Sequence, residues 1–292
     1  MTTRLLILGA GGQLARALHE RAGEAGFEAR CAGRTEADLA ERGAVSALIE
    51  AMKPDALINA AAFTDVDGAQ SDPARAFAVN ADGAGEAGAA AARNGARFLH
   101  VSTDYVFTAG GPHAEDASPE PANTYGQSKL AGEQAVLAAC PDAAIVRASG
   151  IFSGGGRDFP SSIWRLAYGA APIRVVDDQR VTPIWADALA DRLLALALRP
   201  EASGLFHAAA PGASWYEVAV AALESLADAG GPKRVPEPVR SAEFSRPAPR
   251  PSDSRLAGTR LSDATGLPAP DWRDGLKPAV QRWLAERGRA RA

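Results

Sequence analysis

Tyr125 and Lys129 stand one helical turn apart in the stretch NTYGQSKLAGE, Asn123 to Glu133, of a chain with only 6% aromatic residues. Residues four apart on a helix share a face, so a helical segment would set a phenol beside an ammonium. A free tyrosine ionises near a pH of about 10, too high for ready proton exchange at neutrality. A neighbouring cation favours the phenolate and lowers that value, which gives the pair the makings of a general acid. Spacing fixes only the shared face, and a solvated helix surface carrying both residues is the competing reading. A third group precedes them: HVSTDYVF puts Ser102 and Thr103 at the end of an apolar run. There a hydroxyl is placed to hold a substrate oxygen.

A second constellation is LLILGAGGQLARAL, which sets Gly9, Gly11 and Gly12 between an expected strand and an expected helix. Glycine lets the backbone turn tightly and approach a pyrophosphate, and a helix N-terminus offers free N–H groups to that anion. The register is G-x-x-G with Ala15 at the packing position, offset from the usual G-x-G-x-x-G/A fingerprint; a glycine-rich turn without a ligand is the alternative. Gln13 and Leu14, which open the helix, belong to the same cofactor face. After the next strand, AGRTEADL carries no acidic residue where one would bind the 2′-hydroxyl of NAD. Arg34 stands there and can meet a 2′-phosphate, with Asp38 and Leu39 following; Arg34 as a plain surface charge is the other reading. NADP(H) is therefore expected, with NAD left open. Ala60, Ala61 and Ala62 follow a third strand, where small side chains let the backbone approach a cofactor.

The elements that must position these residues follow from patterning. Short apolar runs (RLLILGA, EARCAG, ALINAA, RFLHVST) alternate with helical stretches (GQLARALHERAGEAG, RGAVSALIEAMKPD and the long alanine-rich DPARAFAVNADGAGEAGAAAARNG). Such alternation predicts α/β architecture, a Rossmann-like doubly wound parallel sheet covered on both faces. After Arg147 the rhythm loosens, and Gly230–Pro251 is dense in proline, so irregular backbone is expected there. We divide the chain into a dinucleotide-binding domain, 1–150 with a returning segment at about 180–203, and a smaller mixed α/β substrate-binding lobe, 151–179 and 204–292.

Bulk properties exclude several classes. Lys plus Arg number 31 against 35 Asp plus Glu, a net charge of −4, so no broad basic field for nucleic acid or membrane lipid is expected. The tail RGRARA reads as a frayed C-terminus. Two cysteines, Cys31 and Cys140, argue against a disulfide framework or zinc site. The apolar N-terminal run is too short to span a membrane and lacks a cleavage pattern. A cytoplasmic protein without nucleic-acid or membrane partners is expected.

G-x-x-G near the N-terminus, NAAA after a strand, STDYVF and then Y-x-x-x-K together resemble the extended short-chain dehydrogenase/reductase family. Within it GGQLA, LINAAAFTDVDGAQSDPARAFAVNA, STDYVF, YGQSKLAGE and RPSDSRL are similar to the dTDP-4-dehydrorhamnose reductase branch. The resemblance covers nearly the whole chain and is weaker between Gly150 and Gly204. It implies a catalytic triad of Thr103, Tyr125 and Lys129, and NADPH-dependent reduction of the C4 keto group of a nucleotide-linked 4-keto-6-deoxy sugar. It also implies that Lys129 meets the nicotinamide ribose, that Asn80 orders water and the lysine, and that Arg147–Phe152 flanks the nicotinamide. Ser102 joins the cofactor set, and Asp104, Tyr105, Arg250 and Ser254 are candidates for substrate contact. For Asn80 a helix-surface group, and for Arg250 and Ser254 a turn between lobes, are the alternatives.

The chain departs from that branch at Gly150, where an aromatic residue is usual, and at Asp253, where asparagine is usual; a carboxylate facing a diphosphate must turn away. No metal ligands can be mapped, and His19, His100, His113 and His207 are expected to be structural or surface residues. A homodimer stays open. Competing functions are a non-catalytic NADP-binding regulatory homologue and an extended-family reductase, epimerase or dehydratase for another sugar nucleotide. The absence of a second acid after Asp104 disfavours dehydration.

Overall fold

A computed structural model describes residues 3–289. Its strands are β1 (Thr3–Leu8), β2 (Phe27–Ala32), β3 (Ala56–Asn59), β4 (Arg97–Thr103), β5 (Ala144–Phe152), β6 (Arg174–Val176), β7 (Arg180–Val181), β8 (Pro183–Trp185), β9 (Gly204–His207), β10 (Ala213–Ser214) and β11 (Glu237–Val239). Its helices are α1 (Gln13–Ala22), α2 (Ala44–Met52), α3 (Val66–Ser71), α4 (Pro73–Phe77), α5 (Gly83–Arg93), α6 (Thr124–Ala139), α7 (Phe159–Ala167), α8 (Ala186–Ala197), α9 (Trp215–Asp228), α10 (Arg260–Thr265) and α11 (Leu276–Arg289).

Seven strands form one parallel sheet in the order β2-β1-β3-β4-β5-β8, with β9 also on β5. Leu5 and Ile7 point to one face, where α1 and α8 cover them; Leu6 and Leu8 point to the other, under α2, α5 and α6. Burial on both faces is why these strands read as unbroken apolar runs. The chain reverses direction across the sheet between β1 and β3, and ligands of open α/β sheets bind at such a switch point, outside the strand C-termini.

The second lobe has its own core, built from Phe152, Trp164, Val175, Val218, Leu223, Trp272 and Val280 among others. Its sheets are small: β6 pairs β11 and β7 pairs β10. The proline-dense stretch is irregular as expected except for a 3-10 turn at Ser241–Glu243 and for β11, whose edge position accommodates Pro238.

Four features differ from the sequence reading. Residues 204–207, assigned to the second lobe, are β9 and pair with Ala144–Arg147 in the large sheet, while Leu261 of α10 joins the core beneath α8. Residues 180–181, assigned to the returning segment, pair instead with β10. The long alanine-rich helix is divided by one wider π turn at Ala78–Asp82. The tail expected to fray continues α11 through Arg289, with the Arg287 guanidinium 3.7 Å over the Tyr168 ring; residues 290–292 lie outside the described ones.

Gly150 acquires a backbone explanation. The first half of β5 pairs with β9 and the second half with β8, with a register shift between Ser149 and Ile151. Gly150 sits at this bulge with φ +50°, a conformation that L side chains rarely adopt. A Cβ added there would meet the Trp215 indole at 3.3 Å.

Candidate active site

The glycine loop has the shape of an anion cradle. Gly9 has φ +103°, and a Cβ there would press on the Ala60 and Ala61 backbone at 3.0–3.1 Å. Nothing lies within 4 Å of the position a Gly11 Cβ would take. Helix α1 starts after Gly12 with no side-chain cap, leaving its first-turn N–H groups free for a phosphate. Gly9, Gly11, Gly12, Arg34, Asp38, Leu39, Ala60, Ala61 and Ala62 line a cavity of about 460 Å³. Arg34 is exposed. Asp38 is held by Arg75 at 2.6 Å; burial raises its pKa, but the Ala40 N–H and Arg75 outweigh that and leave it below its ordinary value. A negative 2′-phosphate therefore meets an open guanidinium and an acid whose charge is already matched. These residues fit a dinucleotide, and NADP(H) in particular.

A second cavity of about 730 Å³ shares Gly11, Gly12, Ala60 and Ala62 with the first and is also lined by Gln13, Leu14, Ser102, Thr103, Asp104, Tyr105, Tyr125 and Lys129. Tyr125 and Lys129 lie in the first turns of α6, whose N-cap Asn123 accepts the Gly126 N–H at 2.8 Å. Glycine at 126 and 132 seats this helix: a Cβ would lie 2.2 Å from the Tyr105 carbonyl oxygen at one and 2.0 Å from the Asn80 carbonyl oxygen at the other. Tyr125 is 9% exposed and Lys129 1%, so the solvated-surface reading does not hold.

The electrostatics differ from the simple picture of a cation tuning a phenol. Burial pushes the Tyr125 phenol above its ordinary pKa, and the Thr103 hydroxyl pulls against that shift. Lys129 Nζ instead donates to the Val101 carbonyl at 2.8 Å and lies 3.1 Å from His100 Nε2. Burial lowers the Lys129 pKa to about 8, against the opposing charge of Glu133. The Thr103 hydroxyl accepts the Tyr105 N–H at 3.1 Å and donates to Asp104 at 3.2 Å. The Tyr105 ring meets Tyr125 edge-on at 5.5 Å, and burial raises the Tyr105 pKa to about 12.

Other expected residues take different places. Asn80 lines neither cavity: from the π turn its side chain bonds both backbone groups of Phe63 and donates to Ser128 at 2.9 Å. It is 1% exposed, neither a surface group nor a partner of Lys129. Ser102 lines the cleft but donates to Glu133 at 2.6 Å, and Glu133 is forked by Arg147 at 2.8 and 2.6 Å. Ser254 is buried and donates to Asp104 at 2.5 Å, joined by Ser149 at 2.7 Å; it supports the Asp104 carboxyl, which burial raises above its usual range. Asp253 turns to Arg255, at 2.8 and 2.7 Å. His100 is buried against Lys129 rather than lying idle in the core.

A third cavity, about 680 Å³, adjoins the second through Tyr105, Phe159 and Trp215, and is also lined by Arg174, Phe244, Arg246 and Arg250. Arg250 is there, with its fork on Asp67 at 2.9 Å on both arms. Sequence reading missed Arg174, Arg246, Phe159 and Trp215. Arg246 lies four residues before the RPSDSRL motif that begins at Arg250, and the two aromatics carry no signal in isolation. Among the described residues there is no cluster of three or more potential metal ligands and no helix long and apolar enough to cross a membrane.

A doubly wound parallel sheet, a glycine cradle at its switch point and a Thr–Tyr–Lys wall define the extended short-chain dehydrogenase/reductase class. Residues 3–285 match the family model described as RmlD substrate binding domain. A Mycobacterium tuberculosis dTDP-4-dehydrorhamnose reductase is 43% identical over 95% of this chain and 92% of its own length. A Streptomyces antibioticus protein named as a probable dTDP-4,6-dihydroxy-2-methyloxan-3-one 4-ketoreductase is 39% identical over 97% and 96%. A Bacillus anthracis dTDP-4-dehydrorhamnose reductase solved in complex with NADP superposes with a TM-score of 0.88 at 30% identity, over 98% of this chain and all of that one. The chain belongs to the RmlD substrate binding domain family.

Proposed function

We propose that this protein is an NADPH-dependent oxidoreductase that reduces the C4 keto group of dTDP-4-dehydro-L-rhamnose, giving dTDP-L-rhamnose. The observation that carries the reading is the common wall: Thr103, Tyr125 and Lys129 face a cavity that is continuous with the glycine cradle. Bound NADPH supplies the hydride. The Tyr125 phenol donates the proton that the carbonyl oxygen needs as its charge develops. The Thr103 hydroxyl, oriented by the Tyr105 N–H and Asp104, holds that oxygen electrostatically. Lys129 lines the same cleft one helical turn from Tyr125 and completes the proton-exchanging couple. The third cavity, with Arg174, Arg246 and Arg250 at its rim, suits the diphosphate and base, since guanidinium forks match phosphate oxygens.

A second keto sugar is favoured by one observation. The Streptomyces antibioticus relative is named for a different dTDP-linked keto sugar, and here the cleft is lined by the Trp215 ring beside a residue 150 without a side chain. The test is NADPH oxidation with dTDP-4-dehydro-L-rhamnose and with other dTDP-4-keto sugars, the product identified by NMR. Turnover of dTDP-4-dehydro-L-rhamnose to the L-rhamno product is expected to be fastest. No turnover of it beside rapid turnover of another keto sugar would replace the substrate, and no turnover of any would overturn the activity.

A further inference from the structure

The proposed reaction uses Lys129, yet the bonds that hold it pose a proton-counting problem. Asn59, at the end of β3, accepts the Ala61 N–H on Oδ1 at 3.1 Å. Its amide nitrogen is therefore the atom that faces His100 Nδ1, 3.1 Å away. An amide nitrogen only donates, so Nδ1 must accept, and the neutral ring carries its proton on Nε2. That N–H points at Lys129 Nζ, 3.1 Å away. An ammonium has three donors and no acceptor, so a charged Lys129 would oppose one donor with another in a site where His100 is 0% and Lys129 1% exposed. A neutral amine resolves the conflict: its lone pair accepts from His100 while one of its own N–H groups serves the Val101 carbonyl at 2.8 Å.

We propose that His100, locked as the Nε2–H tautomer by Asn59, is a positioning residue that holds Lys129 as a neutral amine in the ligand-free protein and thereby sets the pH at which the Tyr125–Lys129 couple exchanges its proton. This rests on the roles proposed above for Tyr125 and Lys129. Each carbonyl reduced takes one proton from the couple, and one returns from solvent.

The surroundings agree. Burial keeps His100 well below its ordinary pKa, which favours the neutral ring. Burial also lowers Lys129. Of the groups facing Lys129, Tyr125 and Glu133 lie on its own helix and His100 comes from β4. Glu133 is the one acid, and its carboxylate is matched by Arg147 from β5 and by the Ser102 hydroxyl. Tyr125 in turn faces Tyr105 and the buried Asp104 carboxyl beyond β4.

The first test needs no substrate, so its failure is separable from failure of the proposed activity. A two-bond ¹H–¹⁵N correlation spectrum of ¹⁵N-histidine-labelled wild-type protein, ligand-free at neutral pH, should show His100 as a neutral ring protonated on Nε2. Only four histidines are present, and His100 is identified by the signals that His100→Gln removes, or by elimination if that variant does not fold. An Nδ1–H or imidazolium pattern overturns the proposal. The second test is the pH profile of kcat/KM in the reducing direction, which reports the free enzyme: Tyr125 must hold its proton, and activity falls as pH rises through its apparent pKa. In His100→Gln the new carbonyl can accept from an ammonium, so Lys129 stays charged, favours the Tyr125 phenolate and moves the alkaline limb down by roughly one pH unit. A limb left in place with only a scaled kcat/KM would mean a structural role alone and would overturn it.

Discussion

The two walls of the cleft are built by different means. On the sheet side the polar groups around the proposed acid are tied to protein partners: Lys129 to Val101 and His100, Asp104 to Ser149 and Ser254, Ser102 to Glu133 and onward to Arg147. On the lobe side the cavity is lined from the three-residue strand β6, helix α7, the start of α9 and a proline-rich stretch, with exposed Arg174, Phe244 and Arg246. Proton transfer tolerates little misplacement of its groups, whereas a nucleotide can be gripped by several partly independent contacts. The difference teaches where function is vulnerable: a change on the sheet side should damage folding or turnover, and one on the lobe side should damage affinity.

Breaking the buried side has the largest expected effect. In Arg147→Met the Glu133 carboxylate loses its partner in a site where the two side chains are 3% and 5% exposed, and stranding a buried charge costs about 3–5 kcal/mol. Urea denaturation should show that loss, and a change below about 1 kcal/mol would mean that water reaches the pair. On the lobe side, Arg250→Ala should raise KM for the nucleotide sugar about tenfold with kcat within about twofold, the pattern of lost uniform binding. A fall in kcat with KM unchanged would move Arg250 to the chemical side of the comparison. The smallest effect sharpens the cofactor end: Arg34→Ala should lower the preference for NADPH over NADH by about fivefold, a modest loss because the guanidinium is exposed and screened, read from kcat/KM with each cofactor. An unchanged ratio would assign Arg34 to the solvent.

What could be read from residues alone follows the same division. The strand–helix rhythm, the cradle and the Tyr125–Lys129 face are local patterns, and periodicity reports local faces directly. The partners of those faces are not local. GLFH reads as a buried strand, but nothing within it says that it joins β5 rather than the second lobe. Ser254 was noticed for the motif around it, yet its role is to hold Asp104, 150 positions away. Asn80 was expected from the resemblance to order water and the lysine, and the helix around it gave no hint of the wider turn that directs its amide to Phe63 and Ser128. Gly150 stood out only as a departure from the usual aromatic residue, and the structure accounts for it by a bulge with positive φ where β5 changes neighbours. Trp215 lies far along the chain from every motif it faces.

The most direct measurement compares Tyr125→Phe with the wild type, following NADPH oxidation with dTDP-4-dehydro-L-rhamnose alongside the Kd for NADPH. Removing the hydroxyl from a ring that otherwise keeps its packing should lower kcat by about 10²–10⁴-fold and leave the Kd within about twofold. A variant that turns over within a few-fold of the wild type would contradict the account, because the proton would then reach the sugar oxygen without this phenol.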